Sequence, residues 1–251
     1  MTTRPPFQVR EAESSFSDDK FVVAAFDSSL PYLASIGSQE MWGSTPFSER
    51  DGWAAETSQQ VQDAETFRLT GQGEALRIFV VEAEVLPDAD GREVQQGSEL
   101  NSRVRPEDGK RLVAVGFAFV REDWVPPYVA SQEHLVGELA GADSCLYIEA
   151  MVADYRVSGP LRKGSGSALV QAIKEYGLKT QRRALFVDGW AGNDRKLVRL
   201  VLDRSPIPVL RGLKWLNSYY TRQGFRVVGD FSLARKDKAP WLGTLLRMQV
   251  Q

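Results

Sequence analysis

The run Arg162-Lys-Gly164-Ser-Gly166-Ser-Ala-Leu169 places two glycines, two residues apart, between basic side chains and an apolar helical pattern. Such a run can hold an anion. The first N–H groups of a helix have no partner within it, and the aligned peptide dipoles add positive potential at that end. Glycine lets a phosphate reach the backbone with no Cβ in between. The charge pattern agrees. Tyr155 to Arg183 carries seven Lys or Arg against one acid, Glu175, a local excess of +6 in a chain of net charge −2. That excess favours anion capture. Nucleophilic and metal chemistry has less support. Cys145 is the one cysteine and His134 the one histidine. An intrachain disulfide and a cysteine-built zinc site are thereby excluded, and nothing beside His134 marks it as a catalytic base.

Several readings of the glycines stay open at this point. A Walker loop requires Lys-Ser/Thr after its last glycine, whereas Gly166 is followed by Ser167-Ala168, so that reading fails. A dinucleotide fingerprint requires a third small residue where Leu169 stands, with Asp188 at a plausible later distance for a ribose. A third reading is the pyrophosphate cradle of an acyl-CoA-dependent transferase. The fourth is a tight turn with no ligand.

The elements that position this loop can be read on either side of it. Cys145–Val152 is a mostly apolar strand broken only by Glu149, and 153–163 is the loop. Leu169, Ile173 and Tyr176 then recur at helical spacing up to Gly177, a natural stop. Before them, 7–13 alternates as a strand, and 21–37 suits a helix interrupted near Pro31. A second helix covers 51–71, and 75–86 and 111–120 read as paired strands. The polar stretch 87–110 between those strands reads as a flexible hairpin insertion. Within it Asp88-Ala-Asp90 lacks the later glutamate of a calcium loop, so no metal is expected. After the central helix come a strand at 183–187, an insertion at 194–212, a helix at 210–223 and strands at 225–228, 231–234 and 245–250.

Composition limits the class. With 43% hydrophobic and 25% charged residues, the 251-residue chain can bury a sizeable core, and one domain spanning 1–251 is expected. No apolar run is long enough to span a bilayer, and no apolar segment follows Met1-Thr-Thr-Arg-Pro-Pro6 as in a secretory signal. A reducing, cytoplasmic setting is the expectation, with neither membrane nor nucleic acid as partner.

A second motif, Tyr220-Thr-Arg-Gln-Gly224-Phe225, follows the first at the end of the last helix. The order of strand, basic Gly-x-Gly loop, helix, strand, helix and Tyr-x-x-x-Gly-Phe resembles the GNAT superfamily of N-acetyltransferases. The resemblance is carried by roughly 111–230, with Val187-Asp-Gly-Trp-Ala-Gly-Asn193 matching the end of that family's fifth strand. It implies an α/β (α+β) fold. Its mixed, mostly antiparallel sheet of six to seven strands is flanked by helices, and the fourth and fifth strands splay apart. It implies acetyl-CoA as co-substrate, its pyrophosphate held at Arg162, Lys163, Gly164, Ser165, Gly166, Ser167 and Ala168. Met151 and Val152 would line the acetyl and pantetheine arm, Asn193 would meet the co-substrate after the fifth strand, and Tyr220 aligns with the acid that protonates the leaving thiolate. The chain departs from the pattern in a longer 152–164 loop, in Leu161 where the family places Arg or Gln, and in the 194–212 insertion.

The implied chemistry is direct attack of an amine on a thioester through a tetrahedral intermediate, which requires a base and an oxyanion donor. Glu149 is the first candidate base: it is the only acid in the strand and stands two residues before Met151, which would put both on one face. Its alternative role is an ion pair, with Arg183 as one partner. Asp188 is the second candidate base. Trp42, Phe47, Trp53 and Trp190 either wall the acceptor site or belong to the core. The leading function is N-acetylation of a primary amine on a small molecule, by a monomer or homodimer. The alternatives are a protein or peptide N-acetyltransferase and a non-catalytic acyl-CoA-binding module.

Overall fold

The computed structural model describes residues 7–85, 100–139, 142–192, 219–235 and 238–250. Its eight strands form one sheet. β1 (Phe7–Glu11), β2 (Leu76–Glu84), β4 (Arg111–Glu122), β5 (Cys145–Ala153), β6 (Ala184–Trp190), β8 (Lys238–Gln249) and β7 (Arg226–Arg235) lie side by side in that order, and β3 (Ser102–Val104) pairs with the start of β4. Every pairing is antiparallel except β5 with β6. The strand beyond the expected six or seven is β3, which lies in the stretch read as an insertion. The Arg105 guanidinium, bonded to Asp108 across the turn that follows, fastens this segment to Glu84 of β2. The strands expected as the fourth and fifth are therefore β5 and β6.

Helices cover both faces. α1 (Asp18–Ser35) and α2 (Trp53–Thr70) place Phe21, Val22, Phe26, Val61 and Ala64 on Ile78, Val80, Phe117 and Phe119. On the other face α5 (Ser165–Lys179) places Leu169, Val170 and Ile173 on Val81, Val120, Ile148 and Leu185. α5 is the crossover that a parallel β5–β6 pair requires. A third cluster, including Tyr147, Phe186, Phe231 and Leu245, lies beneath the short α3 (Pro127–Ala130).

Two helix readings are corrected. α1 runs through Pro31 without a break. The ring removes only the bond that its N–H would make one turn back, and buried Leu30 and Leu33 on either side hold the helix to the sheet. Gly177 does not stop α5, which continues to Lys179. It is a close-approach residue: a Cβ there would stand 3.2 Å from both Leu146 and Val250.

Candidate active site

The site is built where two strands part. β5 and β6 pair only from Cys145–Ala184 to Ile148–Val187, although β5 continues to Ala153 and β6 to Trp190. The cause lies on the other edge of β5. Phe119 of β4 faces Ala150 and Val120 faces Ile148, so Glu149 is an extra residue with no partner, a β-bulge. The bulge turns the strand away from β6 and inverts the alternation beyond it. Met151 therefore packs toward α5, while Ala150 and Val152 pack toward α1 and α2. The expected shared face of Glu149 and Met151 does not exist, because period-two alternation fails across a bulge. The Asp154 N–H bonds to Val115 O at 2.9 Å, so the main-chain groups of Val152 and Ala150 face β4 and those of Met151 face the gap.

At the inner end of this gap lies the start of α5. Gly164 sits at φ 105°, in the left-handed region, where the chain must turn sharply from α4 (Gly159–Arg162) into α5. The Lys163 N–H is given to Gly159 O at 3.0 Å, and that of Ala168 to Gly164 O at 3.1 Å. The N–H groups between them, on Gly164, Ser165, Gly166 and Ser167, are the ones that a helix start leaves free for an anion. The surrounding charge is smaller than the sequence count suggests. Arg156 is paired with Asp154, Arg182 with Glu122 and Asp123, and Arg183 with Asp143. Arg162 and Lys163 have no carboxylate partner among the described residues, and the Arg162 guanidinium lies 4.3 Å over the Tyr155 ring.

A cavity of about 650 Å³ joins the gap to the aromatic face of α1 and α2. Of the residues singled out from sequence, Glu149, Met151, Val152, Ser165, Gly166 and Asp188 line it. So do Tyr220, Trp42, Phe47 and Trp190. Asn193 and the 194–212 segment lie outside the described residues, as does most of 87–110. Phe47 and Trp190 are both core and wall, at 3% and 4% exposure. Phe26 is the hub of the aromatic wall, with Trp42, Phe47 and Trp53 within 5.7 Å of its ring.

The two carboxylates differ. Glu149 accepts from Arg121 Nε at 2.8 Å, so its ion-pair partner is Arg121 and not Arg183. Arg121 is also held by Glu74 and by the Trp124 ring. Asp188 has no cationic partner among the described residues. It accepts the hydroxyl of Tyr147 and, at 3.3 Å, that of Tyr128. Burial pushes its carboxyl up to about 6, against these two hydroxyls, which favour the ionised form.

Tyr220 belongs to the last helix, described over Tyr219–Arg222 as α6, and its ring meets Phe225 edge-on at 5.5 Å. Burial raises its hydroxyl above the ordinary tyrosine range. Tyr219, which sequence reasoning passed over, also lines the cavity. Its hydroxyl lies against Gly166, where an added Cβ would come within 2.5 Å of it, and burial pushes it up to about 12. Tyr128, Tyr147 and Arg50 were missed as well. No local motif marks them, since each reaches the site from a different element.

Among the described residues no helix is long and apolar enough to cross a membrane. No protein-family model and no curated protein matches the chain. Solved structures match it in shape. An N-acetyltransferase from Staphylococcus aureus Mu50 is 13% identical, with a TM-score of 0.50 over 98% of this chain and 99% of that one. A protein of Acinetobacter baylyi ADP1 assigned as an acetyltransferase is 10% identical, with a TM-score of 0.51 over 99% of this chain and 94% of that one. A protein from Salmonella typhimurium solved with its cofactor acetyl-CoA is 13% identical, with a TM-score of 0.49 over 98% and 94%. At such identities the likeness is one of fold. The chain shares the mixed α/β fold of these acetyltransferases, the fold that its resemblance to the GNAT superfamily implies.

Proposed function

We propose that this protein is an acetyl-CoA-dependent N-acetyltransferase that acts on a primary amine of a small molecule. One observation carries the reading. A strand gap opened by a bulge, a helix start with free N–H groups and an aromatic chamber with an uncompensated carboxylate form a single cavity. Its residues suit acetyl-CoA. The N–H groups of Gly164, Ser165, Gly166 and Ser167 would hold the pyrophosphate, with Arg162 and Lys163 beside it. The open edge of β5 at Met151 would take the pantetheine arm, whose amides bond like a strand. The thioester supplies an acyl carbon open to attack. The whole cavity, at about 650 Å³, is within the ~300–1,000 Å³ typical of small-ligand sites, and the acyl arm of the co-substrate would take part of it, leaving space suited to a small acceptor.

The chain's own groups then have distinct tasks. Asp188, ionised above pH about 6, takes the proton of the acceptor's ammonium, and the hydroxyl of Tyr128, 38% exposed, offers that proton a route outward. The Met151 N–H, turned into the gap, donates to the carbonyl oxygen as charge develops on it. As the nitrogen–carbon bond forms and the carbon–sulfur bond breaks, the Tyr220 hydroxyl, kept protonated by burial, gives its proton to the departing thiolate, and the second proton shed by the acceptor nitrogen returns through water to the tyrosinate. Glu149 holds Arg121 and adds negative field at Asp188. The test is to incubate the purified protein with acetyl-CoA and a panel of primary amines, following thiol release and the acetylated product by mass. Thiol release that depends on both substrates supports the reading. Tight acetyl-CoA binding with no amine acetylated would favour the non-catalytic module.

A further inference from the structure

The α1–α2 connection supplies a cation to the cavity, with no counter-ion among the described residues. Arg50 follows the short turn Phe47–Glu49 and lies just before α2. Its guanidinium rests on the Phe47 ring, 3.6 Å from the centroid. Nε and Nη2 donate to Thr45 O at 3.2 and 2.9 Å, and Nη2 also donates to Trp42 O at 2.7 Å. These carbonyls fix the orientation of the fork but leave its charge unneutralised. Among the described residues no carboxylate reaches it, and Nη1 has no acceptor. Three residues on, the Trp53 indole N–H is buried with no hydrogen-bond partner among the described residues, and the Arg50 guanidinium lies 6.0 Å from that ring. Both side chains line the cavity. A buried donor without a partner is destabilising, and a bound acceptor atom removes that cost. A preoriented guanidinium with free N–H groups matches a carboxylate.

The cavity is therefore bipolar. Its carboxylates stand on β5 and β6, and its unpaired cation stands on the connection between the helices. We infer that the acceptor is an amino carboxylate, its carboxylate held by Arg50 and the Trp53 indole N–H and its amine delivered to the strand gap. This rests on the acetyltransferase reading and names the substrate class for it. A plain amine would leave Arg50 and Trp53 unsatisfied, and a carboxamide would offer a neutral acceptor to a full charge. Phe26, Trp42 and Phe47 suit an apolar body between the two ends.

The test compares matched acceptors at saturating acetyl-CoA. Leucine, phenylalanine and 6-aminohexanoate are each measured against the corresponding carboxamide and decarboxylated amine. At least one acid is expected to exceed its amide and amine about 10- to 100-fold in kcat/KM, the value of one charge-assisted bond. Arg50→Gln should abolish that preference without changing the Kd for acetyl-CoA, and Arg50→Lys should restore part of it. A second readout needs no turnover. The ¹⁵N indole resonance of Trp53, assigned through Trp53→Phe, should move when an amino carboxylate is added and stay in place with the amides. Equal or better use of amides or amines would overturn the inference, as would a preference that survives Arg50→Gln. So would a panel in which no acid either reacts or moves the Trp53 resonance. Because the indole titration runs without acetyl-CoA, it decides the subsite even if the co-substrate reading fails.

Discussion

Replacing Asp188 by Asn should make the protein more stable and nearly inactive. The Asp188 carboxyl is raised from 3.8 to about 6, and at ~1.4 kcal/mol per pKa unit that shift is up to ~3 kcal/mol of differential stability. The folded state binds the proton more tightly than the unfolded one. The favourable term is therefore complete below pH 3.8 and is lost as the pH rises through about 6. Above that pH the native carboxylate is held ionised at a cost, which Asn does not incur because it resembles the neutral acid and still accepts from a tyrosine hydroxyl. The variant should match the parent in melting temperature near pH 4. At pH 8 it should exceed the parent by several degrees, at most about 10 °C for a chain of this size. Loss of a general base should cut kcat/KM by ~10²–10⁴-fold and remove the limb of the pH–rate profile near 6. The assays are thermal melts at both pH values and thiol release between pH 5 and 9. A variant that melts lower at pH 8, or that keeps the limb and most of its activity, would refute the assignment of Asp188. Such a trade of stability for a destabilised carboxylate is a known mark of active sites.

Other outcomes follow from the same geometry. Tyr220→Phe should lower kcat by ~10²-fold or more with the Kd for acetyl-CoA unchanged, measured by thiol release and calorimetry. Glu82→Gln should cost about 3 kcal/mol in urea unfolding, because buried Glu82 bonds Arg10 and Arg103 at 2.7–2.8 Å and Arg103 would lose its carboxylate, whereas Arg10 keeps Asp18. Burial opposes the Glu82 charge, but the Arg103 hydrogen bond and the Arg10 charge prevail and lower its carboxyl. The stability that it supplies is present above the usual carboxylate range and lost as the pH falls below it, a slope that the Gln variant should lack. Gly116→Ala should destabilise by ~1–3 kcal/mol, because its Cβ would stand 2.8 Å from Val152 O and force β4 from β5 next to the bulge.

The parts of this site that follow local rules were legible in the chain. Leu169, Ile173 and Tyr176 mark α5 by spacing, Gly164 and Gly166 mark its start, and the fifth-strand end at Asp188 follows from the strand before it. What could not be read depends on register or on distance. The alternation of β5 fails at Glu149 because only its pairing with β4 shows the extra residue. The partner of Glu149 is Arg121, across the sheet, although Arg183 is also basic. Tyr128 and Tyr147 come to Asp188 from 60 and 41 residues away. Arg50 belongs to no motif, and what marks it is tertiary: the Phe47 ring and the carbonyls of Trp42 and Thr45 fix its guanidinium. Pro31 was read as a break because its chemistry is local, while the burial of Leu30 and Leu33 that overrides it is tertiary.

Calorimetric titration of the purified protein with acetyl-CoA, and separately with CoA and NADH, tests the central claim most directly. The account predicts saturable 1:1 binding of acetyl-CoA and CoA and none of NADH. Absence of acetyl-CoA binding, or a preference for NADH, would contradict it and leave the Gly164 loop a turn or a dinucleotide site.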